Sequence, residues 1–207
     1  VVSVLLKRGA DTSKAADDGC TPLYVASQEG HVDVVSVLLE QAADIDKAAD
    51  DGCTPLFMAL EEGHTAEVRM LAERGADSTK DNNNKTTPLY IASQYDHVDM
   101  VRVLLDGGAD INQAMNDGAT PLIIASEKGH VEVVRILAER GADINQAEND
   151  GATPLFIASG TGHVQVARAL LDRGADVNQA MNNGATPLTA AKHFNHTEII
   201  RLLERAQ

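Results

Sequence analysis

The sequence predicts an all-α repeat solenoid made of stacked antiparallel helix pairs. Three observations carry that prediction. Thr-Pro-Leu begins at Thr21, Thr54, Thr87, Thr120, Thr153 and Thr186, always 33 residues apart, and holds all six prolines. Six of the seven histidines, His31, His64, His97, His130, His163 and His196, keep the same interval. Fourteen of the 16 glycines fall at three fixed places in the unit. A period of this length, sustained six times over 207 residues, marks a repeat array rather than a globule with one core.

The first element of each unit is a short helix. Thr21 is a good N-cap, and Pro22 at the first helical position gives up an N–H that would have no partner there. The helix carries Leu23, Val25 and Ala26 and is expected to end at Gly30, a residue suited to a left-handed cap. Ala26, Ala59, Ala92, Ala125, Ala158 and Ala191 recur in its middle, where a small side chain lets neighbouring helices approach. The second element is a longer helix from about Val32 to Gln41. Its Val34, Val35, Val37, Leu38 and Leu39 form a broad apolar face. The third is a loop through Ala43-Asp44-Ile45-Asp46 to Asp51-Gly52, a turn signal before the next Thr-Pro. One such unit cannot bury its own apolar face, but stacking it on copies can. Regular Gly and Pro exclude the long helices of a coiled coil.

The unit boundaries follow. Residues 1–17 are a partial unit; 18–50, 51–83, 84–116, 117–149 and 150–182 are full ones; 183–207 close the array, giving one repeat domain over 1–207. Val1 aligns with Val34, which starts the chain inside a second helix, as in a slice of a longer protein or a chain trimmed at its start. Lys192, His193, Asn195 and Thr197 make the last unit more polar, as a capping repeat requires.

The pattern Asp-Gly-x-Thr-Pro-Leu, Ala, Gly-His-x-x-Val-Val-x-x-Leu, Gly-Ala-Asp-x-Asn resembles the ankyrin repeat over essentially the whole chain. That resemblance implies a curved stack of helix pairs with β-hairpin-like loops projecting to one side. It implies protein binding through the loop tips and the first-helix face, and no common catalytic activity. It also implies that Asn112, Asn145 and Asn178, each after Gly-Ala-Asp-x, are candidate hydroxylation sites.

The chain departs from the family in places. Tyr24, Phe57, Tyr90, Ile123, Phe156 and Thr189 stand where the family has His, so the bonds of that His must be absent or replaced. We expect the aromatics there to pack between repeats. Ala42, Asp96 and Asn195 replace helix-ending glycines, and Lys85 replaces a turn glycine within Asp81-Asn82-Asn83-Asn84-Lys85. The last junction predicts a looser loop.

Composition excludes several function classes. The formal net charge is −14, which disfavours nucleic acid and anionic membrane as partners. No apolar run reaches the roughly 18–20 residues of a membrane span. No signal-peptide pattern appears, which points to a reducing cytoplasmic or nuclear compartment. Stacked units place equivalent residues about 10 Å apart. The histidine ladder therefore cannot converge on a metal whose ligands lie about 2 Å away, and each His reads as a structural group. Cys20 and Cys53 exceed the roughly 7 Å Cα limit for a disulfide, so both are expected as free thiols, partly exposed on the loop side. No nucleophile motif, phosphate loop or dinucleotide fingerprint appears. Gly160-Thr161-Gly162 reads as a helix end. No catalytic residue, cofactor or metal is expected.

What remains is binding by a monomer. Copies differ at the end of the first helix and at the loop tip. The acidic candidates are Glu29, Asp50, Glu61, Glu62 and Asp81; the later ones are Tyr95, Met115, Lys128 and Met181. Tyr is common among interface hot spots and Met suits adaptable surfaces. These residues predict a non-catalytic protein–protein interaction module whose partner offers a basic segment near Glu61 and Glu62 and an apolar anchor near Tyr95. The alternatives are a passive scaffold or spacer within a larger enzyme, channel or effector, and an engineered or idealised array.

Overall fold

The computed structural model describes Val4 and residues 8–206. The alignment of Val1 with a second helix lies outside the described residues. The described helices are α1 (Pro22–Gln28), α2 (Val32–Glu40), α3 (Pro55–Glu61), α4 (Thr65–Glu73), α5 (Pro88–Gln94), α6 (Val98–Asp106), α7 (Pro121–Lys128), α8 (Val131–Glu139), α9 (Pro154–Thr161), α10 (Val164–Leu171), α11 (Pro187–His193) and α12 (Thr197–Ala206). No strand occurs among the described residues. The fold is an all-α repeat solenoid.

Each first helix starts as its Thr-Pro dictates. Thr21 Oγ1 accepts a hydrogen bond from Tyr24 N at 3.1 Å, and Thr54 Oγ1 one from Phe57 N at 3.2 Å. Thr186 goes further. It receives Thr189 N, while Thr189 Oγ1 accepts from Thr186 N at 2.7 Å and donates to Thr186 O at 2.8 Å. At the last copy of the position where the resemblance implies His, a hydroxyl thus supplies local bonds instead.

The chain divides into two compact units. In the first, made up to Tyr95 and of Asp99–Ala109, α1 packs on α3 and α3 on α5, while α2 packs on α4. In the second, Asp96–Val98 and Asp110–Gln207, α7, α9 and α11 form one layer and α8, α10 and α12 the other. The central alanines Ala59, Ala92, Ala125, Ala158 and Ala191 are fully buried, small side chains that let the first helices within each unit approach closely. Tyr24, Phe57 and Ile123 are buried and Tyr90 and Phe156 half-buried, in keeping with packing between repeats.

All four replaced glycines keep the left-handed backbone: φ is +58° at Ala42, +66° at Lys85, +58° at Asp96 and +60° at Asn195. The looser loop expected at 81–85 is therefore not what forms. Asn82 N donates to Thr86 O at 3.0 Å and Lys85 N to Asn82 O at 2.9 Å, the pair that closes the Ala49–Cys53 tip. Asn82 Oδ1 adds bonds from Asn84 N and Thr86 N, each 3.0 Å. These contacts hold Lys85 in a conformation that costs a non-glycine residue about 1–2 kcal/mol.

Two ladders tie successive repeats. At the tips, Asp50 N donates to Asp18 O and Asn83 N to Asp51 O in the first unit, with Asn149 N to Asp117 O and Asn182 N to Asp150 O in the second. At the loop base, Asp46 Oδ1 accepts from Asp77 N, Asn112 Oδ1 from Asp143 N and Asn145 Oδ1 from Asp176 N, each at 2.9 Å. Within each unit the tips are thus tied to one another.

Candidate protein-binding surface

The histidines occupy structural positions. His64 Nε2 lies 3.0 Å from Gln28 O, His163 Nε2 2.8 Å from Glu127 O and His196 Nε2 3.0 Å from Gly160 O. Each reaches back one repeat to a carbonyl at the end of a first helix, where helical geometry leaves acceptors open. Imidazole thus sets the spacing of the first-helix ends, which are the variable positions of the unit.

Both cysteines are free thiols. Cys20 is half-buried as expected, but Cys53 is only 6% exposed, which corrects the expectation for it. It is covered by the next loop, whose Asn82 Nδ2 lies 3.8 Å from its Sγ. Burial first, then the nearby Asp51 and Glu61 carboxylates, push its thiol up to about 12.

In the first unit, Glu29, Asp50, Glu61, Glu62 and Tyr95 are exposed, Tyr95 at 45%. Glu61 and Asp51 are near enough to Tyr24 to add to the burial that raises its phenol, so the helix end and the loop base share one field. Asp81 is half-buried and paired with Lys85 at 3.2 Å, so part of its charge is already met. In the second unit, Met115 and Met181 are half-buried at equivalent tip positions. Lys128 is exposed and bound to Glu127 at 3.0 Å, a surface pair of small energetic weight.

The second unit also holds two features not singled out from the sequence. Glu148 occupies the tip between Met115 and Met181 in repeat register. Its carboxyl is pushed up to about 7 by burial, then by Asp150, Asp117 and Glu127. In the same unit, Phe156, Ile157, Gly160, Ala190, His193 and Phe194 line an apolar groove of about 530 Å³. Phe194 is 58% exposed, the most exposed large hydrophobic residue among those described, ahead of Val4 at 54%. Tyr95 and Phe194 stand at the same place in the 33-residue unit, so the signal that selected Tyr95 was available for Phe194.

A family model for ankyrin repeats matches three times, over residues 1–82, 76–148 and 145–206. The chain belongs to the ankyrin repeat family. Its fold is similar to an ankyrin repeat domain from Acinetobacter baumannii AYE, with a TM-score of 0.84 and 33% identity over 89% of this chain and 97% of that one. It is also similar to the human ASB11 ankyrin repeat domain, with a TM-score of 0.89 and 26% identity over 99% of this chain and 91% of that one. None of the curated proteins compared with it matches. Ankyrin repeats are generally protein–protein interaction modules. No described helix is long and apolar enough to cross a membrane.

Proposed function

We propose that this ankyrin array is a non-catalytic module of a reducing intracellular compartment that binds a partner protein through its first-helix ends and loop tips. In the first unit the partner contributes a basic segment. The observation that carries this reading is the exposure of Glu29, Asp50, Glu61 and Glu62 on one unit with Tyr95 exposed at its last first-helix end. Carboxylates held on a rigid framework attract a cationic segment and speed its encounter, and an exposed aromatic supplies apolar contact area. Met115, Lys128 and Met181 extend the candidate surface in the second unit, and Asp81 contributes what Lys85 leaves of its charge.

The test is partner capture from native extract, with affinity then measured at low and high salt. Glu61→Lys with Glu62→Lys should weaken binding about tenfold or more and flatten the salt dependence. Tyr95→Ala should weaken it separately. Binding indifferent to salt and to the charge reversals overturns the basic-segment reading, and unchanged affinity in Tyr95→Ala removes the anchor.

Asn112, Asn145 and Asn178 remain candidate hydroxylation sites through the family resemblance. Asn112 and Asn145 use Oδ1 to accept the loop-base bonds, so an added hydroxyl would lie beside an inter-repeat contact. Intact mass of protein from its native cell decides this.

A further inference from the structure

Gly160 is the least conspicuous residue of the second unit and lines its apolar groove. The equivalent first-helix positions carry Gln28, Glu61, Gln94, Glu127 and His193. Glycine at 160 removes that side chain from α9. A β-carbon placed there would lie 3.8 Å from Ala190 Cβ and from Phe194 Cε2, at ordinary contact distance. The floor of the groove is therefore open because a side chain is missing, not because the helices are spread. Phe156 and Ile157 form one wall, and His193 and Phe194 the other, with their rings edge to face at 4.7 Å.

Near the groove carboxylates outnumber ammonium groups, and Lys128 and Lys192 are each already held by a glutamate. Glu127 stands one repeat before Gly160 at the same helical position, and its backbone carbonyl is held by His163. Glu148, on the neighbouring tip, shares the field of Asp117, Asp150 and Glu127. Lys128 meets one oxygen of Glu127, and the remaining carboxylates outnumber it. An apolar slot beside an excess of carboxylates disfavours an acidic partner and suits a cationic one.

We infer that the groove at Gly160 takes a large apolar side chain of a partner protein, and that Glu127 and Glu148 pair with a Lys or Arg of the same segment. This rests on the protein-binding reading above and adds a second, independent subsite in the other unit. Adjacent first helices lie about 10 Å apart. An extended segment advances about 3.3 Å per residue, so the basic residue falls about three positions from the apolar anchor.

The experiment is selection of a random twelve-residue peptide library on the 207-residue chain, followed by affinities of the enriched peptides. Enriched sequences should share a Phe, Leu or Trp with a Lys or Arg about three residues away. Gly160→Gln fills the groove and should weaken these peptides tenfold or more. Gly160→Ala, which has room, should have a smaller effect, and circular-dichroism melting confirms that both variants fold. Glu148→Lys should weaken the same peptides and remove their salt dependence. Peptides that bind equally well to Gly160→Gln, or that carry no basic residue, overturn the inference. Peptides sensitive only to Glu61→Lys and Tyr95→Ala overturn it and leave the first-unit surface standing. Selection that yields no binder to either unit overturns both.

Discussion

The ring of His163 fills the space beside Gly129. A β-carbon on Gly129 would fall 2.6 Å from His163 Nδ1, and the backbone there has φ +80°. One residue ends a first helix, the other opens the next repeat's second helix, and neither position tolerates a larger partner. Gly129→Ala should cost about 1–2 kcal/mol for the left-handed backbone alone, and more for the displaced ring. Gly141→Ala is the control, because φ is +95° there and nothing lies within 4 Å of its added carbon. Urea unfolding of both variants isolates the His163 contact as their difference. Equal losses would show that the ring moves aside freely.

Glu67 lies where the other repeats carry Val34, Met100, Val133, Val166 and Ile199. It is 3% exposed, and its Oε1 has no hydrogen-bond partner among the described residues. A buried polar atom without a partner costs about 1–3 kcal/mol. Glu67→Met keeps the length of the side chain and removes the carboxylate, so it should stabilise the protein by about that amount. A lower melting temperature would mean that the carboxylate has a role that its neighbours leave hidden.

The two thiols differ in reactivity. Cys53 is buried and its thiol pushed up to about 12, while Cys20 is half-buried with a smaller rise. A raised thiol stays protonated and is a poor nucleophile at neutral pH. Native protein treated with a disulfide reagent at pH 8 should react first at Cys20, with Cys53 reacting only on unfolding. Equal native rates at the two residues would contradict the burial of Cys53.

Glu148 makes stability depend on pH. Its carboxyl is raised to about 7 in the fold from its ordinary value of 4.5, by burial and by Asp150, Asp117 and Glu127. The folded state therefore holds a proton that the unfolded chain has released across that window. The resulting stability is fully present below about pH 4.5 and is lost as pH rises through about 7. Glu148→Gln should melt at a higher temperature than the parent at pH 8, with the difference closing toward pH 5. The same offset at both pH values would show that the acidic field does not act on Glu148.

The sequence by itself determined the array. Thr caps, Pro at N1, left-handed glycines and buried alanines act within a few residues, so a 33-residue period exposes them at once. It also marked the variable positions, including the shared place of Tyr95 and Phe194. Tertiary structure alone decided the rest, because those properties depend on side chains about one repeat away. Cys53 is buried by Asn82 of the next loop. Gly160 becomes a groove only because Ala190 and Phe194 stand opposite it. Glu148 is perturbed by burial first, and then by Asp150, Asp117 and Glu127, which stacking brings near it. Short-range backbone rules repeat along a chain, whereas burial and electrostatic field at one position are set by whichever residues stacking brings to face it.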